Sequence, residues 1–406
     1  LWSIGSQQQA LDADEIQTPG AFSCARPGRR RLSSRHRRGA TRDQPNRLEI
    51  QVTTRRRMLA VTAMLAVPAL MLASCGNDDG GDETSGGDNG KIGLVFDIGG
   101  KGDKSFNDAA SKGLNEAADE LGYETKELEP DEGGQNRAEL LESLASGGYN
   151  PVIGVGFLFA DSVLETAQAH PDTTFAIVDN AYGPEDEATT KNIKQLVFAE
   201  EQGSFLVGAA AAMKTKSDTI GFIGGVETDL IKKFEAGYEA GAKHVNPEIK
   251  IEAQYITQPP DFNGFDDPAK AKTIAKSMYD GGADIIFHAA GASGSGLFEA
   301  AVEARGDNEN IWAIGVDSDQ YKLVPEDQQK IMLTSMIKKV DVAVAGAITD
   351  FDNGSTEGGV TSFDLEAGGV DYSTSGGFVD DISGDIDKLK EQIISGEIEV
   401  PITPQG

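Results

Sequence analysis

Three aspartates far apart in the chain, Asp97, Asp179 and Asp317, each lie at the end of an apolar run of strand length, and Gly156, Gly225 and Gly291 end three others. Carboxylates accept hydrogen bonds from hydroxyls and amines, and glycines let a backbone approach a ligand closely. The loop DIGGKGDKSFN (97–107) superficially suggests a phosphate cradle. Aligned on Lys104, however, the pattern GxxxxGK[ST] requires glycine where Ile98 and Asp103 stand, and an acid there repels phosphate. A dinucleotide fingerprint is also incomplete: Gly294 and Gly296 precede Asp317, but Glu299 occupies the third glycine position. Asp97 and Asp103, with Asp317 and Asp319 as further oxygens, could hold a calcium ion of an exported nucleoside hydrolase, although a hard cation asks for roughly six to eight oxygens. The set fits a neutral ligand with a flat ring and several hydroxyls better. Phe106 and Phe234 could stack on the ring while Asp97, Asp179 and Asp317 accept its donors. Taken singly, each Phe suits core packing, and Asp317 suits a cap or turn.

The elements that position these residues alternate regularly. Strand-like runs cover 91–98, 151–156, 174–179, 219–225, 250–256, 283–291, 311–317 and 331–337, and amphipathic stretches of helix length lie between them. In Ser105 to Leu121, for example, Phe106, Ala110, Leu114, Ala117 and Leu121 share a face, and Gly122 follows as a stop. Seven or eight βα units are too many for one ordinary open sheet, so the spacing predicts an α/β protein of two doubly wound, parallel-sheet lobes. In such sheets ligands bind beyond the carboxyl ends of the strands, where the residues above stand.

Composition excludes several functions. The 406 residues carry 66 acids and 36 bases, a net charge of -30, which argues against a nucleic-acid partner. Two Cys and four His supply no soft-ligand metal site and no disulfide framework, so no metal or cofactor is expected. The charge is uneven: residues 1–74 hold 12 Arg against 5 acids, and only Arg137 and Arg305 follow, where Lys is the basic residue. Residues 52–74 read as an export signal, with Arg55, Arg56 and Arg57 before an uncharged apolar run from Met58 to Ser74. Leu72, Ala73, Ser74 and Cys75 resemble the bacterial lipobox, which predicts acylation of Cys75 and a lipid anchor to the membrane. Residues 75–90, the acylated Cys and a Gly- and Asp-rich stretch, form a flexible tether. Residues 1–51 lack hydrophobic periodicity and stand before the signal, which points to a misplaced start, with Val52 or Met58 as the true one.

Beyond residue 91 the chain resembles the basic membrane protein family of substrate-binding lipoproteins, which includes purine nucleoside receptors of ABC transporters. The resemblance rests on DIGGKGDKSFN (97–107), NPVIGVGF (150–157), TFAIVDN (174–180), IGFIGGVE (220–227), IKKFEAGYEAG (231–241), DIIFHAAGASGSG (284–296), WAIGVDSDQ (312–320) and LTSMIKK (333–339). It implies a type I periplasmic-binding-protein fold whose lobes, joined by three crossings, close on a purine nucleoside for delivery to a membrane permease. The first lobe would take residues 91–198 and about 321–358, the second 199–320 and about 359–406. By the same resemblance Phe106 and Phe234 sandwich the base and Asp97, Asn107 and Asp179 are polar positions near it. Gly225 and Gly291 make backbone contacts, Asp317 takes the ribose hydroxyls, and Lys338 completes the site. A non-enzymatic monomer is implied, with an exported nucleoside hydrolase or a surface sensor of the same fold as alternatives.

Overall fold

The computed structural model describes residues 89–405, which belong to one compact unit. Residues 1–51, the signal at 52–74, Cys75 and most of the tether lie outside them. The chain opens with β1 (Lys91–Val95), α1 (Phe106–Leu121), β2 (Glu124–Leu128), α2 (Arg137–Ser146), β3 (Val152–Gly154), α3 (Ala160–Ala169), β4 (Phe175–Val178) and β5 (Ile193–Phe198). A second series follows: α4 (Glu200–Lys214), β6 (Thr219–Val226), α5 (Asp229–Val245), β7 (Lys250–Thr257), α6 (Pro268–Asp280), β8 (Ile285–Ala289), α7 (Gly294–Arg305), β9 (Trp312–Asp317), α8 (Glu326–Gln329) and β10 (Met332–Lys338). The chain ends with α9 (Val340–Asp352), β11 (Gly359–Phe363), β12 (Val370–Tyr372) and α10 (Ser383–Ile394).

These strands form two six-stranded sheets of matching order, β11-β5-β4-β3-β1-β2 and β12-β10-β9-β8-β6-β7. Every pairing is parallel except β10 with β12. Parallel strands covered by helices on both faces must be apolar throughout, and β1, β3, β4 and β8 are buried almost end to end. The chain crosses between lobes three times, at Ala199, at Lys339 and between β11 and β12. The first two crossings share one backbone conformation, φ -89 and ψ 69 at Ala199 and φ -79 and ψ 63 at Lys339.

The lobe boundaries differ from the expected ones. β10, expected in the first lobe with residues 321–358, pairs with β9 in the second sheet, and residues 359–363, expected in the second lobe, add to the edge of the first as β11. The connection from β9 through α8 is short, and a strand reached that way pairs with its predecessor, so the crossing follows β10 rather than preceding it. Four strands escape the sequence pattern. β2 and β11 are edge strands with charged or exposed faces, β12 has three residues, and β5 carries Lys194 and Gln195 inside its apolar run, both buried. The first helix behaves as predicted, ending at Gly122 with φ 79 and its N–H donated to the Ala118 carbonyl.

Helices α4 and α5 pack backbone to backbone. A Cβ at Gly237 would stand 2.1 Å from the Glu201 carbonyl oxygen and one at Gly241 2.0 Å from that of Phe205, so glycine permits the approach that aligns Phe234 with the cleft. Among the described residues no helix is long and apolar enough to cross a membrane.

Candidate ligand-binding cleft

With β5 and β10 leading directly into the crossings, the hinge lies towards that edge of both sheets. The carboxyl ends of the two sheets face each other across the cleft. Asp97, Gly156 and Asp179 follow β1, β3 and β4; Gly291 follows β8, while Asp317 and Lys338 end β9 and β10. Phe106 and Asn107 open α1 and Phe234 stands in α5, and together these residues line one cavity. Because the sheets have the same order, β4 and β9 occupy equivalent places. Each is followed or ended by an aspartate in the left-handed region, φ 66 at Asp179 and φ 61 at Asp317. Aspartate tolerates that conformation better than most residues, but such strain persists only where the surroundings impose it.

The lobes are drawn together. Ser105 Oγ donates to Asp317 Oδ2 at 2.5 Å, Ser318 Oγ to the Ser105 carbonyl at 3.3 Å and Gln320 Nε2 to the Lys104 carbonyl at 3.1 Å. Lys338 Nζ donates to Asp179 Oδ2 at 2.6 Å, also between lobes. Phe157 meets the edges of Phe262 and Phe265 at 6.2 and 6.5 Å between ring centres.

Between the lobes the charges are buried and costly to hold. Burial pushes the Asp97 carboxyl up to about 6 against the pull of Arg137, whose guanidinium lies 3.4 Å away. Burial likewise raises Asp179 to about 6 and Asp317 to about 7, although Lys338 draws both down. For Lys338 burial alone would lower the value, but Asp179, Glu200 and Asp317 hold the ammonium well above its ordinary range. The same ammonium lies over three rings, 4.9 Å from the centre of Phe198, 5.2 Å from Phe106 and 5.5 Å from Phe234. Asp179 Oδ1 is buried with no partner among the described residues, and Asp179 lines a cavity whose walls are mainly apolar.

Eight of the nine residues expected at the site line this cavity: Asp97, Phe106, Asn107, Asp179, Phe234, Gly291, Asp317 and Lys338. Gly225 does not. It lies within β6, where an added Cβ would stand 2.5 Å from the Phe265 ring, so its role is to seat Phe265, which itself lines the space. Asn107 lines the cavity yet directs its amide at the backbone, its Oδ1 accepting from Asp97 N at 2.8 Å and its Nδ2 donating to the Ile98 carbonyl at 3.3 Å. It therefore fixes the exit of β1. Asp103 caps α1, accepting from the backbone N–H groups of Ser105, Asn107 and Asp108, while Asp319 accepts from Ser373, Ser375 and Lys322. Two of the four carboxylates that could have held calcium are thus committed elsewhere. Gly294 and Gly296 let α7 pack against His288 and the Pro268 carbonyl rather than against a dinucleotide.

Sequence reasoning missed Phe157, Leu230, Ile231 and Phe265 as lining residues, and Arg137 and Glu200 as charged supports. Phe157 directly follows Gly156 at a strand end, and Arg137 is one of two arginines in the body, so both left a signal. Phe265 and Glu200 left none.

Comparison with known proteins agrees with this fold. A family model described as ABC transporter substrate-binding protein PnrA-like matches residues 91–403. The chain is similar to the ABC transporter nucleoside-binding protein BmpA of Lactococcus lactis subsp. cremoris, 32% identical over 368 residues covering 86% of this chain and 99% of the relative. It is also similar to basic membrane protein A of Borreliella burgdorferi, 31% identical over 347 residues covering 85% of this chain and 96% of the relative. Among solved structures, an ABC transporter solute-binding protein from Aeropyrum pernix K1 matches with a TM-score of 0.67 at 27% identity, covering 78% of this chain and 94% of that one. The arabinose-binding protein of Shewanella sp. ANA-3, at 14% identity and a TM-score of 0.50 over 77% of this chain and 99% of that one, shares the fold alone. The architecture is the type I periplasmic-binding-protein fold.

Proposed function

The chain belongs to the PnrA-like family of ABC transporter substrate-binding proteins, and from that premise we propose that it binds purine nucleosides between its lobes. The observation that carries this reading is the set of residues that line the cavity. Two phenylalanines and three buried carboxylates, one with an oxygen that has no partner among the described residues, ask for a flat, uncharged ligand rich in donors. A phosphorylated ligand would meet three acids and one ammonium already neutralised by Asp179. The nucleoside-binding relative from Lactococcus supports the same class.

In this reading the ligand settles on one lobe, the other completes its contacts, and the closed form is what a membrane permease accepts. No bond is broken. Acylation at Cys75 would tether the receptor to the extracytoplasmic face of the membrane. Calorimetry against nucleosides, free bases and sugars tests the assignment: guanosine, inosine or adenosine should bind and ribose alone should not. The reading is overturned if no nucleoside binds, or if incubation with guanosine and metal ions releases free base.

Removing one stacking ring gives a direct check. Phe106→Ala is expected to weaken nucleoside binding by about 1–3 kcal/mol, the scale of base–aromatic stacking, with little loss of melting temperature because the ring is only half buried. An unchanged affinity would assign Phe106 to packing alone.

The raised carboxyls predict a pH dependence. Ligand donors favour the ionised form of Asp97, Asp179 and Asp317, so binding should release protons where these groups titrate, near 6 to 7. Affinity should rise between about pH 5 and about pH 8 and level off above. Stability of the ligand-free protein should move oppositely. Folded values above the ordinary 3.8 mean that the folded chain holds extra protons, and that stabilisation is lost as pH rises through 6 to 7. Calorimetry in two buffers of different ionisation enthalpy checks the first statement, and proton uptake on binding would contradict it.

A further inference from the structure

Beside the cavity, but not lining it, lies Glu200, fully buried as the first residue of α4 immediately after the Ala199 crossing. One carboxylate oxygen is 3.2 Å from Lys338 Nζ and the other accepts from Lys233 Nζ at 3.2 Å. Lys338 is therefore in direct contact with two carboxylates from different lobes, while Asp317, on β9 of its own lobe, acts on it from beyond salt-bridge distance. Asp179 follows β4 of the first sheet, whereas α4 packs on α5, β10 and β12 and moves with the second, the lobe that carries Lys338. When the cleft opens, the 2.6 Å bond between Lys338 and Asp179 must break, but the contact with Glu200 is internal to one lobe and survives.

Opening takes Asp179 away from the ammonium but leaves Glu200 in contact with it, with Asp317 acting from further off, so Glu200 is the contact that fixes where Lys338 stands while the cleft is open. We propose that Lys338 is shared between two carboxylates, one from each lobe, and that Glu200 keeps it charged and in place while the cleft stands open. Glu200 is thus a positioning residue for ligand capture, acting through Lys338. The inference rests on the hinge-closing reading above.

The two carboxylates then bias the lobes in opposite directions. Asp179 stabilises only the closed form. Glu200 touches Lys338 in both forms and is its direct carboxylate contact in the open one, and in the closed form it also brings a second negative charge towards Asp179. Neutralising Asp179 should therefore open the protein, and neutralising Glu200 should close it.

Small-angle X-ray scattering of the ligand-free protein reads this directly, with Asp179→Asn and Glu200→Gln compared with the wild type, each also measured with guanosine. Asp179→Asn is expected to lower the closed-to-open ratio about tenfold and Glu200→Gln to raise it about tenfold. Glu200→Gln should also bind guanosine more tightly, a gain that general structural damage would not produce. Should that variant fail to fold, Glu200→Asp, which withdraws the carboxylate by one methylene, should move the ratio the same way by less. The inference is overturned if both neutral variants shift the ratio in the same direction, or if Glu200→Gln and Glu200→Asp leave it unchanged. If guanosine does not compact the wild type, the hinge-closing reading fails instead.

Discussion

Replacing Lys338 with methionine is expected to lower stability by about 3–5 kcal/mol and to abolish measurable nucleoside binding. Lys338 is 2% exposed and is the cation common to Asp179, Glu200 and Asp317, so its loss leaves buried acids without the charge that offsets them. Methionine fills nearly the same volume and suits the three surrounding rings, which separates the charge from the packing. Protonation offers the variant an escape: its carboxyls should titrate higher still. Its deficit should therefore shrink as pH falls from about 7 towards about 4, where the acids accept protons at little cost. The double variant Asp179→Asn, Lys338→Met should recover part of the loss at pH 7. Denaturant unfolding at the two pH values measures all of this. A Lys338→Met protein as stable as the wild type at pH 7 would show that the ammonium is not the anchor of the cluster.

Much of the fold was legible because parallel strands buried on both faces leave uninterrupted apolar runs, and the residues after those runs stand at the sheet's carboxyl edge. That logic placed Asp97, Asp179 and Asp317 in one cavity although they are separated by 82 and 138 residues in the chain. It failed where a strand was not apolar. β5, with Lys194 and Gln195 inside it, went unseen, and so did Glu200, which follows its end. The lobe boundaries were misjudged for a related reason: nothing local distinguishes a strand that ends in a crossing from one that ends in an ordinary loop. Ala199 and Lys339 adopt the same backbone conformation, yet their neighbours share no residue type that periodicity could detect. Roles were harder to read than positions. Asn107 and Asp103 stand in the loop after β1, but their hydrogen bonds go to backbone, and only the geometry separates a residue that shapes this loop from one that faces the cavity.

Asp317→Asn is expected to weaken riboside binding by about ten- to a hundredfold while affecting 2′-deoxyribosides less. A carboxylate can accept from two vicinal hydroxyls, whereas an amide offers one acceptor oxygen and turns two donors towards the ligand. Asparagine is the informative replacement because Asp317 has a φ of 61, a conformation asparagine tolerates and alanine resists, so backbone strain does not confound the comparison. The substitution also touches closure, since Ser105 Oγ donates to Asp317 Oδ2 at 2.5 Å from the opposite lobe. Ser105→Ala provides the control: it removes that interlobe bond but leaves the carboxylate, and so should weaken ribosides and deoxyribosides equally. Calorimetry of guanosine and deoxyguanosine against both variants separates the contributions. If Asp317→Asn lowers the two affinities by the same factor, the carboxylate serves closure alone and discrimination of the sugar must come from elsewhere in the cavity.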